Sequence, residues 1–287
     1  MNTKLVSLTA IAAIALAPLA AQAQTFTDNA SNYTGGYNGG QGGSTPGFGA
    51  FKVTAAGTSS GTFVYTAANS EGGNGTPAPS SIDSKNVSFG VYANTDATSS
   101  TTITRAFTAP TQPGGLNVTG DTFSLDFLTG YNDGNAAGTN GPGDGSGFAG
   151  VSLLTAAGTV GTFDYQSGDQ YLFNGAQVNK ADGTKQDFTT GAFHLLYTLT
   201  SATTYSFQAS GPFTFTGTGT LSGPVTGFEV QQVNSGGGDP GHDAFFNNIA
   251  YTAVPAAVPE ASSLIGFGLL LTLGGVAVVA RKRTVKA

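Results

Sequence analysis

Apolar and polar residues alternate along this chain in short runs. Val87-Ser88-Phe89-Gly90-Val91-Tyr92, Thr122-Phe123-Ser124-Leu125-Asp126-Phe127-Leu128 and Phe193-His194-Leu195-Leu196-Tyr197-Thr198-Leu199 put every second side chain on one face, the period of a half-buried strand. Phe213-Thr214-Phe215-Thr216 repeats the pattern on a smaller scale. Residues 48–55, 61–66, 101–108, 147–155, 159–164, 203–209, 225–233 and 244–252 are of the same kind. All are rich in β-branched and aromatic residues and bounded by Gly, Pro, Asn or Asp. Few stretches between them carry helix formers at a 3.6-residue spacing. About a dozen short strands predict one all-β domain over residues 48–254, a two-sheet sandwich with phenylalanine as the core filler. No Cys–Trp–Cys pattern and no long internal repeat is visible, which favours a jelly-roll-like sandwich over an immunoglobulin array. The Gly/Asn-rich stretch 24–47 reads as a loose leader able to supply an edge strand, and 67–81 as a long loop.

Both ends break the alternation. Lys4 precedes an apolar run from Leu5 to Ala17, Pro18 interrupts it, and Ala21-Gln22-Ala23 has the small-x-small form of a signal-peptidase site. Residues 1–23 therefore read as a signal peptide that enters the Sec translocon, with a mature chain starting at Gln24. At the other end Leu264 to Ala280 contains no charge and is followed by Arg281, Lys282 and Arg283. A helix over 264–280 is about 26 Å long, near the lower limit for spanning the hydrocarbon core. The basic cluster is expected to stay on the cytoplasmic side.

Val258-Pro259-Glu260, the apolar stretch 264–280 and the basic stop 281–283 together make a tail over 255–287. This tail resembles the PEP-CTERM sorting signal of Gram-negative-type bacteria, with one departure: Ala261 stands where the family usually has a second proline. The resemblance implies an exosortase as partner and recognition at Pro259 and Glu260. It also implies anchorage in the inner membrane before processing, then residence at the cell surface or outside the cell, often beside exopolysaccharide production. The globular part is similar to that of other PEP-CTERM proteins and to concanavalin-like modules in the runs "SFGVYAN", "RAF", "GDTFSLDF", "GYNDG" and "DAFFNNIAYTAVP" between about 85 and 255. That likeness implies a lectin-like sandwich; its motifs are strand and turn residues and say little about activity.

Removing the ends sharpens the charge. Between residues 24 and 257, fifteen acidic side chains stand against Lys52, Lys85, Arg105, Lys180 and Lys185, leaving a net charge of −10. Such a surface argues against nucleic acid or anionic lipid as partners and suits cations and neutral polymers. The chain has no cysteine, which excludes disulfides, thiol catalysis and thiolate metal sites.

Candidate chemistry is sparse. There are two histidines, and no P-loop, G-x-G-x-x-G, H-E-x-x-H or G-x-S-x-G elbow occurs. His194 alternates out of phase with Phe193, Leu195 and Tyr197, which places it on the less buried sheet face. Asp121 with Asp126, or Asp164 with Asp169, are carboxylate pairs of the kind glycoside hydrolysis uses, if they face each other across a cleft. The loop 131–146 carries Asp133, Asn135 and Asp144, oxygen ligands of the type Ca2+ takes, without EF-hand spacing, and reads otherwise as an irregular solvated hairpin loop. The loop 236–243 carries Asp239, His242 and Asp243, able to hold a cation or a sugar hydroxyl, or to serve only as a turn. Tyr33 and Tyr37 in the leader are placed either to stack on sugar rings or to dock on the sheet. The leading expectation is a non-enzymatic exported surface protein whose sandwich binds exopolysaccharide. The alternatives are a secreted glycan-active enzyme using an Asp pair and a purely structural surface coat.

Overall fold

The computed structural model describes residues 22–33, 37, 39–66, 82, 85–94, 98–108, 115–131, 147–168, 170–236 and 240–255. Among them, fifteen strands form two antiparallel sheets. The larger sheet runs β13 (Phe215–Thr220), β12 (Thr204–Ser210), β11 (Phe193–Ser201), β6 (Thr122–Thr129), β15 (Ala244–Ala253), β4 (Val87–Ala93), β3 (Ser60–Thr66), with β1 (Gln24–Asp28) also on β15. The smaller runs β10 (Ala176–Gln177), β9 (Gln170–Phe173), β8 (Gly158–Gln166), β7 (Phe148–Thr155), β14 (Val225–Val233), β5 (Ser100–Ala106), β2 (Lys52–Ala56). The predicted all-β, two-sheet sandwich is thus observed. The only helical pieces among the described residues are short 3-10 turns at Ala30–Asn32 and Pro240–His242. None of the described helices is long and apolar enough to cross a membrane; residues 1–21 of the expected signal peptide and the expected 258–283 tail lie outside the described residues.

The alternation in sequence becomes the two faces of each sheet. On β11, Phe193, Leu195, Tyr197 and Leu199 point inward and are buried, while His194 and Thr200 are exposed. Phe123, Leu125 and Phe127 on β6 and Tyr205, Phe207 and Ala209 on β12 meet them. From the other sheet come Val151, Leu153, Phe163, Tyr165, Phe228 and Val230. Aromatic rings dominate the contact, with Phe123 stacked on Phe228 at 5.0 Å and Phe173 on Phe207 at 4.6 Å.

The segment 24–47 supplies the edge strand expected of it, but it is not loose. Residues 24–28 pair with 249–253 as β1, and Tyr37 is fully buried with its hydroxyl donating to the Gly90 carbonyl at 2.9 Å. What fastens the segment is Arg105, whose side chain is wholly buried with Asp28. Its guanidinium also donates to the carbonyls of Gly49 and Gly42 and lies over the rings of Phe48 and Phe51, 4.5 and 4.2 Å from their centroids. Asp28 in turn accepts from Asn29 N, Asn32 Nδ2 and the Tyr33 hydroxyl. Burial pushes the Tyr33 phenol up to about 12, with the Asp28 hydrogen bond adding to it.

The run predicted at 213–216 is displaced: the strand is Phe215–Thr220. Its inward positions after Phe215 are Gly217 and Gly219, where an added Cβ would lie 2.5 Å from the Phe173 ring and 2.2 Å from the Tyr205 hydroxyl. Rings borrowed from other strands fill the inner face there, so the strand itself carries no apolar alternation.

Candidate functional site

The residues singled out from sequence fall into three groups. Asp133, Asn135, Asp144, Asp239 and Asp169 lie outside the described residues. Among the described residues no group of three or more His, Asp or Glu is placed to hold a metal ion. The structure does bring the bases of the two candidate loops together. Tyr131 N donates to Gly241 O at 2.9 Å and Gly130 N to Asp243 O at 2.8 Å. The His242 ring joins them, its Nδ1 donating to the carbonyls of Tyr131 (2.6 Å) and Ser235 (3.1 Å). Gln232 completes the tie, its amide donating to His242 O and accepting from Ala244 N. His242 and Asp243 are nearly buried, so in this arrangement the histidine fastens backbone.

A second group is structural. Asp121 is fully buried; one carboxylate oxygen accepts from Asn117 N and Val118 N, the other from Val254 N. It clamps a turn to the end of β15 and does not face Asp126 across a cleft. Tyr37 is fully buried, and Tyr33 is half-buried with its hydroxyl tied to Asp28, so both are docked on the sheet. Asp164 sits on β8 opposite Gly150 of β7 and Leu172 of β9, 5% exposed, with no side-chain hydrogen bond among the described residues. Burial raises its carboxyl to about 7.

The third group lies on the outer face of the larger sheet, with His194. Its Nδ1 donates to Asp126 at 2.8 Å, and Asp126 also accepts from Asn248 Nδ2 at 2.7 Å. Beyond this trio the face has a composition that no single segment announces. Strand pairing lines up Thr25, Thr252, Thr122, Thr198, Ser206 and Thr218 as one row across six strands. The next row is Thr27, Ala250, Ser124, Leu196, Gln208 and Thr216, and Thr200, Thr204 and Thr220 follow at the other side. Every side chain in the two rows is exposed or half-buried, and none is charged. Among the described residues of β13, β12, β11, β6, β15 and β1, only Asp126 and His194 bring ionisable groups to this face. The hydroxyls of Thr25 and Thr252 bond each other at 2.9 Å. Those of Thr122, Thr198, Ser206 and Thr218 have no side-chain hydrogen bond among the described residues.

The face is not flat at the β13 side. A depression of about 430 Å³ is lined by Leu196, Thr198, Ser206, Gln208, Thr216 and Thr218. Beside it a groove of about 830 Å³ opens between the start of β8 and the β12–β13 hairpin, with Thr159, Thr162, Asn174, Thr204, Tyr205 and Thr220 along it. Threonine and amide side chains recur in both linings, interleaved with apolar surface.

No protein-family model matches the chain, and no curated protein matches it. Solved structures share its general arrangement. A protein of unknown function from Shewanella oneidensis MR-1 is 8% identical with a TM-score of 0.41, covering 85% of this chain and 93% of that one. The winged bean acidic lectin, solved with methyl-α-D-galactose, is 8% identical with a TM-score of 0.39, over 80% and 98% of the two chains. A β-glucanase catalytic domain from Podospora anserina is 11% identical with a TM-score of 0.37, over 81% and 94%. Likenesses this loose leave the reading of the site to its own chemistry.

Proposed function

We propose that this chain is an exported surface protein, directed by a signal peptide over 1–23 and sorted by an exosortase at Val258-Pro259-Glu260, with 264–280 as its membrane helix before processing. Its sandwich is a non-catalytic module that binds neutral extracellular polysaccharide. The observation that carries the binding half is the outer face of the larger sheet. On a module with a net charge of −10, that face sets out two six-residue rows without a charge and rich in hydroxyls. A hydroxyl both donates and accepts, so such a surface matches sugar hydroxyls in either sense without desolvating an ion. The lectin-like company of the fold agrees with this reading and does not decide it.

The test is retention of the full-length protein on the exopolysaccharide of its own cells, with and without calcium. Retention that survives chelator and moderate salt is the expected result, since an uncharged interface is little screened. No retention under either condition rejects the binding half.

A further inference from the structure

The hydroxyl row has a direction and a period, and both restrict what it can hold. Neighbours in the row are register partners on adjacent strands, so successive hydroxyls recur at the strand spacing of about 4.8 Å. The row runs perpendicular to the strands from β1 to β13, six residues long. We infer that Thr25, Thr252, Thr122, Thr198, Ser206 and Thr218 form the docking line of a single extended, neutral, β-1,4-linked glycan chain lying across the strands; this rests on the polysaccharide-binding reading above. Such a chain sets its pyranose rings in line at nearly the strand spacing, and each ring offers hydroxyls along the edge of the ribbon. An α-1,4 chain coils and leaves a straight row after a few rings.

The absence of charge along the row gives a polyanionic chain no counter-charge to meet. Twist argues against a planar lattice such as ice or a crystal facet. Adjacent strands turn by roughly 20–25°, about 100° over the five intervals of the row. A rigid plane therefore touches only a few strands, whereas a single chain follows the turn through its glycosidic torsions. The depression at the β13 end has Thr198, Ser206 and Thr218 in its wall, and its volume of about 430 Å³ has room for more than one ring. The free hydroxyls of the row fall there and at Thr122.

The decisive experiment titrates full-length protein with cellohexaose, maltohexaose and an alginate hexamer, and repeats the first with the Thr122→Val/Thr198→Val double variant. Valine keeps the shape and strand preference of threonine and exchanges its hydroxyl for a methyl, and Ser206→Ala supplies an independent probe. The inference expects cellohexaose to bind at least tenfold more tightly than the other two, with a tenfold or greater loss in the double variant at unchanged Tm. Equal binding of cellohexaose and maltohexaose, or full affinity in both the double variant and Ser206→Ala, overturns it. If the host exopolysaccharide is still retained in that case, the broader reading stands and only the docking line falls. Failure to bind either hexaose and the host polymer ends both. Inhibition of ice growth without glycan binding replaces the chain with a lattice and overturns the inference.

Discussion

Asp164 is the residue whose environment is furthest from what its chemistry prefers. A carboxyl with no hydrogen bond among the described residues, pressed against Gly150, keeps its proton up to about pH 7 in the folded state, against about 3.9 in an unfolded chain. The folded protein then holds more protons than the unfolded one between those values, so stability falls as pH rises from about 4 to 7 and stays lower above. Asp164→Asn removes the ionisation. Relative to the parent, the variant is expected to gain about 2–4 kcal/mol more at pH 8 than at pH 4.5, read from denaturant midpoints. An equal difference at both pH values refutes the assignment. The sequence names Asp164 as an acid in an alternating run, but not its depth. That depth comes from Gly150 and Leu172 on neighbouring strands, which no local pattern reports. His194 was legible because its phase within β11 is a local property. His242 was visible as a candidate ligand, but its ties to Tyr131 and Ser235 cross the fold.

At the scale of elements, most strands follow the alternation, and the exceptions share a cause. Residues 215–220 and 24–28 carry little apolar alternation of their own, because partners supply the rings or the pairing. Arg105 shows how the N-terminal segment is held in spite of this. It replaces packing with one ion pair, backbone carbonyls and two aromatic faces, all buried. Arg105→Met leaves Asp28 charged and uncompensated in that site, and is expected to cost about 3–5 kcal/mol. Adding Asp28→Leu should recover part of the loss, because no orphan charge remains. Urea unfolding of the single and double variants decides it, and a single-variant cost under about 1 kcal/mol would show that the segment is held by its other contacts. The hydroxyl row is an element-scale feature as well. Its members lie far apart in sequence, and alternation says which residues share a face of one strand without saying which strand lies beside it.

For the whole molecule, composition was the better guide. Subtracting the two ends exposed the acidity of the sandwich, and that acidity is what makes an uncharged face informative. The sorting proposal belongs to this scale too. Substituting Pro259 and Glu260 together by alanine is expected to leave the C-terminus uncut, so the mature protein should keep the mass of residues 264–287. Normal processing of that variant would leave the tail as an ordinary anchor.

The position of β15 carries one more consequence. This last strand is not an edge but the middle of the larger sheet, bonded to β6 along its length, to β4 at its start and to β1 beyond the irregularity at Asn247–Ala250. Until residue 253 is free to pair, β1, β3 and β4 have no sheet to join, and β6 has β11 alone. A chain emerging from its N-terminus thus gathers its parts but closes only when the final strand slides between them. Assembly is accordingly late and dominated by distant pairings, the slow class of folding reaction. A truncation just short of β15 would release sticky half-sheets in place of a smaller stable protein.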